Sequence, residues 1–302
     1  MATTSFTGKT VVITGAGSGI GRAAAVLAAA KGAQLVLTDI DAQGLEGTRA
    51  LVSGSVAYLE ALDVSDEDAV AAFAHRVLER GPVDIVMNVA GISTWGRIED
   101  LASQHWRDCV EIDLMGPIHV MSAFIPPMIE AGRGGHLVNV SSAAGLFGLP
   151  LHAPYSAAKF GLRGVSEVLR FDLERHGIGV TLVCPGAVKT PLVGSVTIVG
   201  VDRERPDVRQ TIAEFERHAV SPESAAAAMI RGVERGRYLV FTSPDVRAGH
   251  CLQRYAPWAY ERVMRRLNRR VMHLVEASPR PRYAESCTEE AGANRAGPRK
   301  SG

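Results

Sequence analysis

The chain has 302 residues, a formal net charge of +1 at pH 7 and an apolar fraction of 46%. That composition is ordinary for a packed protein, and the near-zero charge gives no general reason to expect a nucleic-acid partner. The first residues lack the apolar core of a signal peptide, and no stretch of about 18 residues is apolar and free of charges, so we expect no transmembrane helix. Four cysteines without C-x-x-C spacing indicate reduced thiols, which favours a cytoplasmic location.

A glycine-rich turn stands between two regular elements near the N-terminus. The apolar run at 10–14 predicts a buried strand, and the alanine-rich run at 19–31 predicts a helix. Strand, glycine turn and helix together are typical of a cradle for a dinucleotide pyrophosphate. In that cradle Gly15 allows the tight turn, Gly19 lets the backbone approach the phosphates, and Gly21 lets the helix lie close to the strand.

An acidic residue follows the second predicted strand, at 34–38. Asp39 comes eighteen residues after Gly21, near the place where a carboxylate meets the adenosine ribose of a bound dinucleotide. A carboxylate there accepts hydrogen bonds from two hydroxyls and repels a 2′-phosphate, and neither Thr38 nor Ile40 supplies a cation. The sequence therefore favours NAD over NADP. The alternative is that Asp39 is a turn residue, since Asp-Ile-Asp is also good turn chemistry.

Strand-like and helix-like patterns continue to alternate along the chain. This alternation predicts an α/β fold with a doubly wound, mostly parallel sheet of Rossmann type in a single domain. Residues 191–220 interrupt the pattern with prolines and glycines, and we expect a lid there with a short helix at 207–218. The remaining strands are predicted near 56–60, 83–87, 135–141, 179–184 and 238–241, and the remaining helices near 41–52, 66–80, 103–131, 155–176 and 222–235.

A phenol, an ammonium and a hydroxyl are arranged as candidates for acid–base chemistry. Tyr155 and Lys159 are four residues apart, so on a helix both point from one face. A cation beside a phenol lowers the pKa of the phenol, which makes Tyr155 a candidate proton donor or acceptor near neutral pH. The strand at 135–141 delivers Ser142 at its carboxyl end, where open α/β sheets bind ligands. Tyr-x-x-x-Lys alone is common on helix surfaces. It is informative here because it occurs together with the glycine turn, Asp39 and Ser142.

These motifs together resemble those of the classical short-chain dehydrogenase/reductase family. The resemblance runs from residue 5 to about 245 and also includes Asp63-Val64, Asn88-Val-Ala-Gly91 and Pro185-Gly-x-x-x-Thr190. It implies an NAD(P)-dependent oxidoreductase that acts on CH–OH groups. It implies catalytic roles for Ser142, Tyr155 and Lys159. It implies cofactor contacts by Gly15, Ser18, Gly19, Ile20, Gly21, Asp39, Asp63, Val64, Asn88, Ala90, Gly91, Tyr155, Lys159, Pro185, Gly186, Val188 and Thr190.

The chain departs from the family pattern at two positions. The usual Asn-Asn-Ala-Gly has Val89 as its second residue, a mild change if backbone contacts count most. The family's fourth catalytic residue is an Asn, and here that position holds Asp113. An amide both donates and accepts hydrogen bonds, whereas a carboxylate only accepts them. We expect Asp113 either to support a water chain to Lys159 or to raise the pKa values of Lys159 and Tyr155.

The predicted substrate pocket is mainly apolar, which suits a lipophilic secondary alcohol or its ketone or aldehyde. No H-E-x-x-H motif or Cys/His cluster is present, so metal catalysis is not expected, and the absence of a G-x-S-x-G elbow argues against a hydrolase. Two alternatives stay open: an NADPH-dependent carbonyl reductase, and a non-catalytic dinucleotide-binding sensor or scaffold. The predicted pocket residues are Ser93, Thr94, Trp95, Leu149, His152, Leu192 and Val193.

The C-terminal part is predicted to contain a basic amphipathic helix at 254–275. Its apolar residues recur at near-helical spacing, and five arginines fall between 262 and 270. Such a helix packs on its own domain or a sister subunit, or it contacts an anionic membrane surface. We therefore divide the chain into a catalytic domain at 1–250, a helical extension at 251–277 and a disordered tail at 278–302. The family resemblance also implies a homodimer or homotetramer paired through the helices near 103–131 and 155–176.

Overall fold

A parallel sheet forms the centre of the protein. The computed structural model describes residues 4–52, 54–190, 196–202 and 205–276. The strands of the main sheet are β1 (Thr10–Thr14), β2 (Gln34–Asp39), β3 (Val56–Ala61), β4 (Ile85–Asn88), β6 (Gly135–Val140), β7 (Ile178–Cys184) and β9 (Leu239–Phe241). Two short strands, β5 (Thr94–Trp95) and β8 (Thr197–Ile198), pair separately and in parallel.

Helices cover both faces of this sheet. They are α1 (Gly19–Ala30), α2 (Ala42–Leu51), α3 (Glu67–Leu78), α4 (Ser103–Val110), α5 (Gly116–Ala131), α6 (Ala153–Asp172), α7 (Pro206–His218), α8 (Pro222–Glu234), α9 (Pro244–Tyr255) and α10 (Pro257–Glu276). A π-helical turn, Glu111–Met115, joins α4 to α5, and short 3₁₀ turns occur at Ala143–Gly145 and Glu174–His176.

The strand order is β3-β2-β1-β4-β6-β7-β9, with every pair parallel. The order therefore reverses between β1 and β4, which is where doubly wound sheets bind ligands at the carboxyl ends of their strands. Strand β1 is buried on both sides: Val11 and Ile13 belong to the core under α1 and α8, and Val12 belongs to the opposite core under α3 and α5. Burial on both faces explains why this strand reads as a continuous apolar run rather than an alternating one.

The predicted fold class is confirmed, and the seven predicted strands lie within two residues of the observed ones. The helix predicted at 103–131 is interrupted by the π turn, which carries Asp113. By length and composition the stretch Ser103–Ala131 is apolar enough to cross a membrane, but half of its most apolar window is buried inside the protein. Such burial is expected of a core helix.

The C-terminal region differs from its prediction. Instead of one helix at 254–275, the structure has α9 and α10, separated at Ala256, because Pro257 disfavours helical backbone in the residue before it. The boundary predicted after residue 250 falls inside α9, so the division of the chain there stays a prediction. The predicted tail at 278–302 lies outside the described residues, as do Leu192 and Val193 of the predicted lid.

Candidate active site

Gly15 and Gly21, in and just after the turn that follows β1, have no room for a side chain. Gly15 adopts a left-handed φ of +66°, and a Cβ there would lie 2.7 Å from the backbone nitrogen of Ala90. A Cβ on Gly21 would overlap the carbonyl oxygen of Gly15. Ser18 precedes α1 but makes no side-chain cap, so its side chain satisfies none of the first N–H groups of that helix. These groups border a cavity of about 850 Å³, as an anion cradle requires.

Asp39 is held at the end of β2 by backbone hydrogen bonds. Its Oδ2 accepts from the Gly17 N–H at 2.8 Å, and its Oδ1 accepts from the Asp41 N–H at 3.0 Å. The carboxylate therefore fixes the glycine turn while it borders the cavity, and each oxygen keeps lone-pair capacity for a further donor. The turn chemistry expected of Asp39 and its position beside the dinucleotide cradle are both present.

Arg22, one turn into α1, is already engaged within the fold. Its guanidinium donates to the carbonyl oxygens of Gly17 and Gly44 and, at 3.0 Å, to the hydroxyl of Thr48. Ile40, which follows Asp39 in the chain, borders the cavity and is 73% exposed.

The loop after β4 is fixed by a residue whose role the sequence reasoning missed. Thr14 ends β1, and its hydroxyl accepts hydrogen bonds from the backbone N–H groups of Val89 at 3.0 Å and Ala90 at 3.1 Å. The sequence signal for this role is the position of Thr14, directly before Gly15, the first glycine of the turn. The prediction for Asn88 requires a correction: its amide donates to Asn139 Oδ1 at 2.9 Å inside the core, and its side chain does not border the cavity. Asn88 therefore supports the loop after β4 from the core side, through its hydrogen bond to Asn139.

Ser142, Tyr155 and Lys159 border the same cavity. Pro154 lies in the first turn of α6, and Tyr155 and Lys159 follow one helical turn apart, with the Lys159 Nζ 5.6 Å from the centre of the phenol ring. Ser142 stands at the end of β6 as the cap of a 3₁₀ turn, its Oγ accepting from the Ala144 N–H at 3.1 Å. Its side chain also lowers the pKa of Tyr155. The three groups predicted from their spacing are therefore brought together.

Asp113 and Lys159 form a buried ion pair. Asp113 is fully buried, and its Oδ1 lies 3.2 Å from Lys159 Nζ and 3.0 Å from the Ile92 N–H. The ammonium also donates to the carbonyl oxygen of Val140 at 3.3 Å. Gly91 is essential to this arrangement, because a Cβ there would overlap Asp113 Oδ1. The π turn that carries Asp113 thus places a buried carboxylate beside the site lysine; burial raises the pKa of this carboxyl, and the Lys159 charge opposes that rise.

This negative charge acts on the pKa values of its neighbours. Burial raises the pKa of Tyr155; the Lys159 charge lowers it, but Asp113 raises it further, so the pKa stays above its usual value of 10. Burial would lower the pKa of Lys159, yet the attraction of Asp113 and Tyr155 raises it above its usual value. Lys159 thus lowers the phenol pKa as predicted, but burial and Asp113 outweigh it. The expected raising influence of Asp113 on both groups is present.

The substrate side of the cavity is walled by aromatic and aliphatic groups. The Trp95 indole packs at a tilt against the His152 ring, with the ring centres 4.2 Å apart, and it donates to Ser93 Oγ at 2.7 Å. His152 Nδ1 bonds the Pro150 carbonyl oxygen at 2.6 Å, and burial lowers the pKa of His152 to about 4, which keeps the ring neutral. Of the predicted pocket residues that are described, Thr94 does not border the cavity, and the bordering ones are Ser93, Trp95, Leu149 and His152.

The site fits a nicotinamide dinucleotide. The closely packed glycine turn and the α1 N-terminus suit its phosphates, Asp39 suits its adenosine ribose, and Tyr155 with Lys159 occupies the other part of the cavity. Besides these, the predicted contacts that border the cavity are Gly15, Ser18, Gly19, Ile20, Gly21, Asp63, Val64, Ala90, Gly91, Pro185, Gly186, Val188 and Thr190.

Fold and site together are those of a dinucleotide-dependent oxidoreductase. The family model for short chain dehydrogenases matches residues 9–220, and the chain belongs to that family. It is 38% identical over 268 residues to SadH of Mycobacterium tuberculosis, which is named an oxidoreductase, and the match covers 86% of this chain and 95% of SadH. It is 36% identical over 262 residues to the oxidoreductase EphD of the same organism, covering 84% of this chain but 44% of EphD.

A solved structure shows the same architecture with its cofactor. The crystal structure of a short-chain dehydrogenase/reductase from Burkholderia phymatum in complex with NAD has a TM-score of 0.76 and 29% identity. The likeness covers 83% of this chain and 94% of that one. The present chain is thus an NAD(P)-dependent oxidoreductase acting on CH–OH groups, with a nicotinamide dinucleotide as its cofactor.

Proposed function

We propose that the protein interconverts a lipophilic secondary alcohol and its ketone, or a related aldehyde, with NAD(H), and that Tyr155 is the acid–base group. One observation carries the proposal: Tyr155, Lys159 and Ser142 share an apolar-walled cavity with the glycine turn. When bound, the dinucleotide would supply the hydride chemistry; the chain's own groups orient the reactants and move the proton.

Each residue has a distinct task in the oxidation direction. The Tyr155 phenolate oxygen takes the hydroxyl proton of the alcohol, and the phenol returns that proton during reduction. Ser142 Oγ hydrogen-bonds the substrate oxygen and holds it beside the phenol. Lys159, fixed by Asp113 and Val140, stabilises the phenolate by its charge and would hold the ribose hydroxyls next to the nicotinamide. Val188 and Thr190, which border the cavity, would hold the carboxamide.

The preference for NAD over NADP rests on three side chains. Asp39 presents a carboxylate to the adenosine ribose, where it repels a 2′-phosphate. Arg22 is bound to backbone carbonyls and to Thr48, and Ile40 supplies no charge. Titration with NADH and NADPH tests this part: tighter binding of NADPH contradicts it and favours the NADPH-dependent reductase.

The decisive experiment is a Tyr155→Phe variant assayed with a panel of hydrophobic alcohols and ketones by NADH absorbance. We expect loss of turnover by about a thousandfold, because general acid–base catalysis contributes at this scale. Tyr58→Phe is the matched control, since the Tyr58 hydroxyl contacts Glu60 and not the cavity. Retained NADH binding by the Tyr155→Phe variant excludes misfolding. Unchanged turnover would contradict the mechanism and revive the non-catalytic sensor or scaffold.

A homodimer or homotetramer is part of the proposal. On α6 an apolar stripe faces outward: Phe160 is 40% exposed, Val168 58% and Phe171 60%. These residues share one helix face with Gly164, and α6 is the helix that the family resemblance assigned to pairing. Size-exclusion chromatography with light scattering tests the assembly, and a Val168→Asp variant should shift it toward the monomer.

Peripheral contact with an anionic membrane is the second surface proposal, and the cytoplasmic location stays a prediction beside it. Trp258 is 72% exposed, and Arg262, Arg266, Arg269 and Arg270 are exposed on the same helix. Aromatic and basic groups together favour an anionic lipid interface. We expect the protein to co-sediment with phosphatidylglycerol vesicles but not with vesicles of phosphatidylcholine alone. An Arg266→Glu/Arg269→Glu variant should lose the co-sedimentation.

A further inference from the structure

One wall of the substrate cavity comes from α10, which lies beyond residues 9–220, the part of the chain that the family model matches. Leu267, Val271 and Val275 border the same cavity as Tyr155 and Ser142. Their spacing of four residues places them on one face of the helix. Val275 is 4% exposed, so at its far end this face is packed inside the protein.

The position of α10 is fixed by contacts with the segment that precedes the site tyrosine. The Tyr260 hydroxyl donates to the Gly148 carbonyl oxygen at 3.1 Å, and the Tyr260 ring packs edge-on against Phe147 at 6.3 Å. Phe147 itself borders the cavity and belongs to a buried cluster with Val246 of α9. The helix is therefore docked on the segment leading from Ser142 to Tyr155.

The wall that α10 completes is apolar. Leu149, Leu151, Val196, Ile198, Val201 and Val208 border the cavity as well. The polar side chains of Ser93 and His152 are already hydrogen-bonded, to Trp95 and to the Pro150 carbonyl oxygen respectively. The Asp245 carboxylate, also at the cavity, stands near Gly186 on the cofactor-binding loop. A polar or charged substrate tail would lose its hydration on this wall without gaining partners.

We propose that α10 determines substrate specificity by binding an extended aliphatic chain attached to the reacting carbon. The inference rests on the proposed function, because it names the substrate class of that same reaction. Chain methylenes lie along Leu267 and Val271 while the oxygen-bearing carbon stays between Ser142 and Tyr155. Each added methylene removes apolar surface from water and strengthens binding until the chain passes the end of the wall.

The test uses two tryptophan variants of the same helix and a series of methyl ketones. Val271→Trp fills the cavity at the wall, whereas Val263→Trp changes a 49% exposed valine that does not border it. With NADH, the kcat/KM of the unmodified protein should rise about three- to fourfold per methylene from 2-pentanone to 2-nonanone. Val271→Trp should lower kcat/KM for 2-tridecanone by roughly tenfold or more and change that for 2-pentanone by less than about twofold. Val263→Trp should change neither.

A binding measurement separates this inference from the proposed reaction. Without cofactor, 2-tridecanone should raise the Tm of the unmodified protein and of Val263→Trp but not that of Val271→Trp. If these Tm changes are seen but no ketone is reduced, the result would support the α10 wall and contradict the proposed reaction. A kcat/KM independent of chain length, or equal losses in both variants, would overturn the role of α10 and leave the reaction intact.

Discussion

Two carboxylates at opposite parts of the cavity differ in almost every physical respect. Asp39, at the nucleotide end, is half-buried and accepts hydrogen bonds from two backbone N–H groups. Asp113, at the catalytic end, is fully buried, and one of its oxygens has a cation 3.2 Å away. Its other oxygen has no hydrogen-bond partner among the described residues.

This difference assigns the two groups different work. A half-solvated carboxylate with spare lone pairs recognises hydroxyls, and its charge is screened by water. A buried carboxylate beside a lysine acts over a longer range, because little water separates it from its neighbours. We therefore expect Asp39 to influence which dinucleotide binds, and Asp113 to influence the protonation of Lys159 and Tyr155. Four predictions follow from the contrast, in decreasing order of effect.

Lys159→Met should have the largest effect. It leaves the Asp113 charge buried without its partner, and breaking a buried pair costs about 3–5 kcal/mol of unfolding free energy. Urea unfolding at pH 8 measures the loss, and protonation of the unpaired Asp113 carboxyl, whose pKa burial raises, keeps the loss within this range. A Lys159→Met/Asp113→Asn double variant is the control and should recover part of the stability. Equal urea midpoints for Lys159→Met and the unmodified protein would show that the pair is not coupled as described.

Asp113→Asn should move the pH dependence of alcohol oxidation toward acid. Asp113 raises the pKa of Tyr155, so removing its charge lowers that pKa, and the phenolate needed for proton removal forms at lower pH. We expect the rising limb of kcat/KM against pH to shift down by about one unit. An unchanged profile would reject the electrostatic role and leave Asp113 as a support for Lys159 alone.

Asp39→Asn should change cofactor choice without moving that profile. Loss of the charged acceptor should raise KM for NAD roughly tenfold and lower KM for NADP, because the repulsion of a 2′-phosphate disappears. Asp113→Asn is the control: it should move the pH profile and leave the cofactor preference unchanged, the reverse of what Asp39→Asn should do. A shift of the pH profile by Asp39→Asn would mean that the two ends of the cavity are not electrically separate.

Thr14→Val should have the smallest effect on catalysis, because its hydroxyl holds the loop after β4 and none of the reacting groups. It preserves shape but leaves the Val89 and Ala90 N–H groups without their acceptor, which costs about 1–3 kcal/mol. Thermal unfolding should show a loss absent from Thr10→Val on the same strand, and both KM and the pH profile should change little. A stability equal to that of Thr10→Val would show that the loop does not depend on this hydroxyl.

The nucleotide end was predictable because its signals are local. Apolar runs, glycines and Asp39 follow one another within a few tens of residues, and each has its own chemical reason at that spacing. Ser142, Tyr155 and Lys159 were also brought together as predicted, since the parallel strands end, and the helices that follow them begin, at one sheet edge.

The remaining features depend on contacts between distant segments. The ion pair joins Asp113 to Lys159 through a π turn that no local pattern marks. Asn88 turns inward because Asn139 on the neighbouring strand receives its amide. Helix α9 did have a local signal in Ser243-Pro244-Asp245, a cap, a first-turn proline and an acid. The docking of α10 on the cavity depends on Tyr260 meeting Gly148 and has no local sign at all.

The bonding of Arg22 limits how this chain could be re-engineered. Its guanidinium ties the glycine turn to α2, so diverting it to a phosphate would loosen the cradle that the rest of the coenzyme needs. Ile40 is exposed at the rim of the cavity, and its apolar side chain makes no hydrogen bond. A cation can therefore be added at this position without breaking the hydrogen bonds that hold the glycine turn. Coenzyme redesign in this scaffold should therefore begin at the rim with Ile40→Arg and leave the helix entrance untouched.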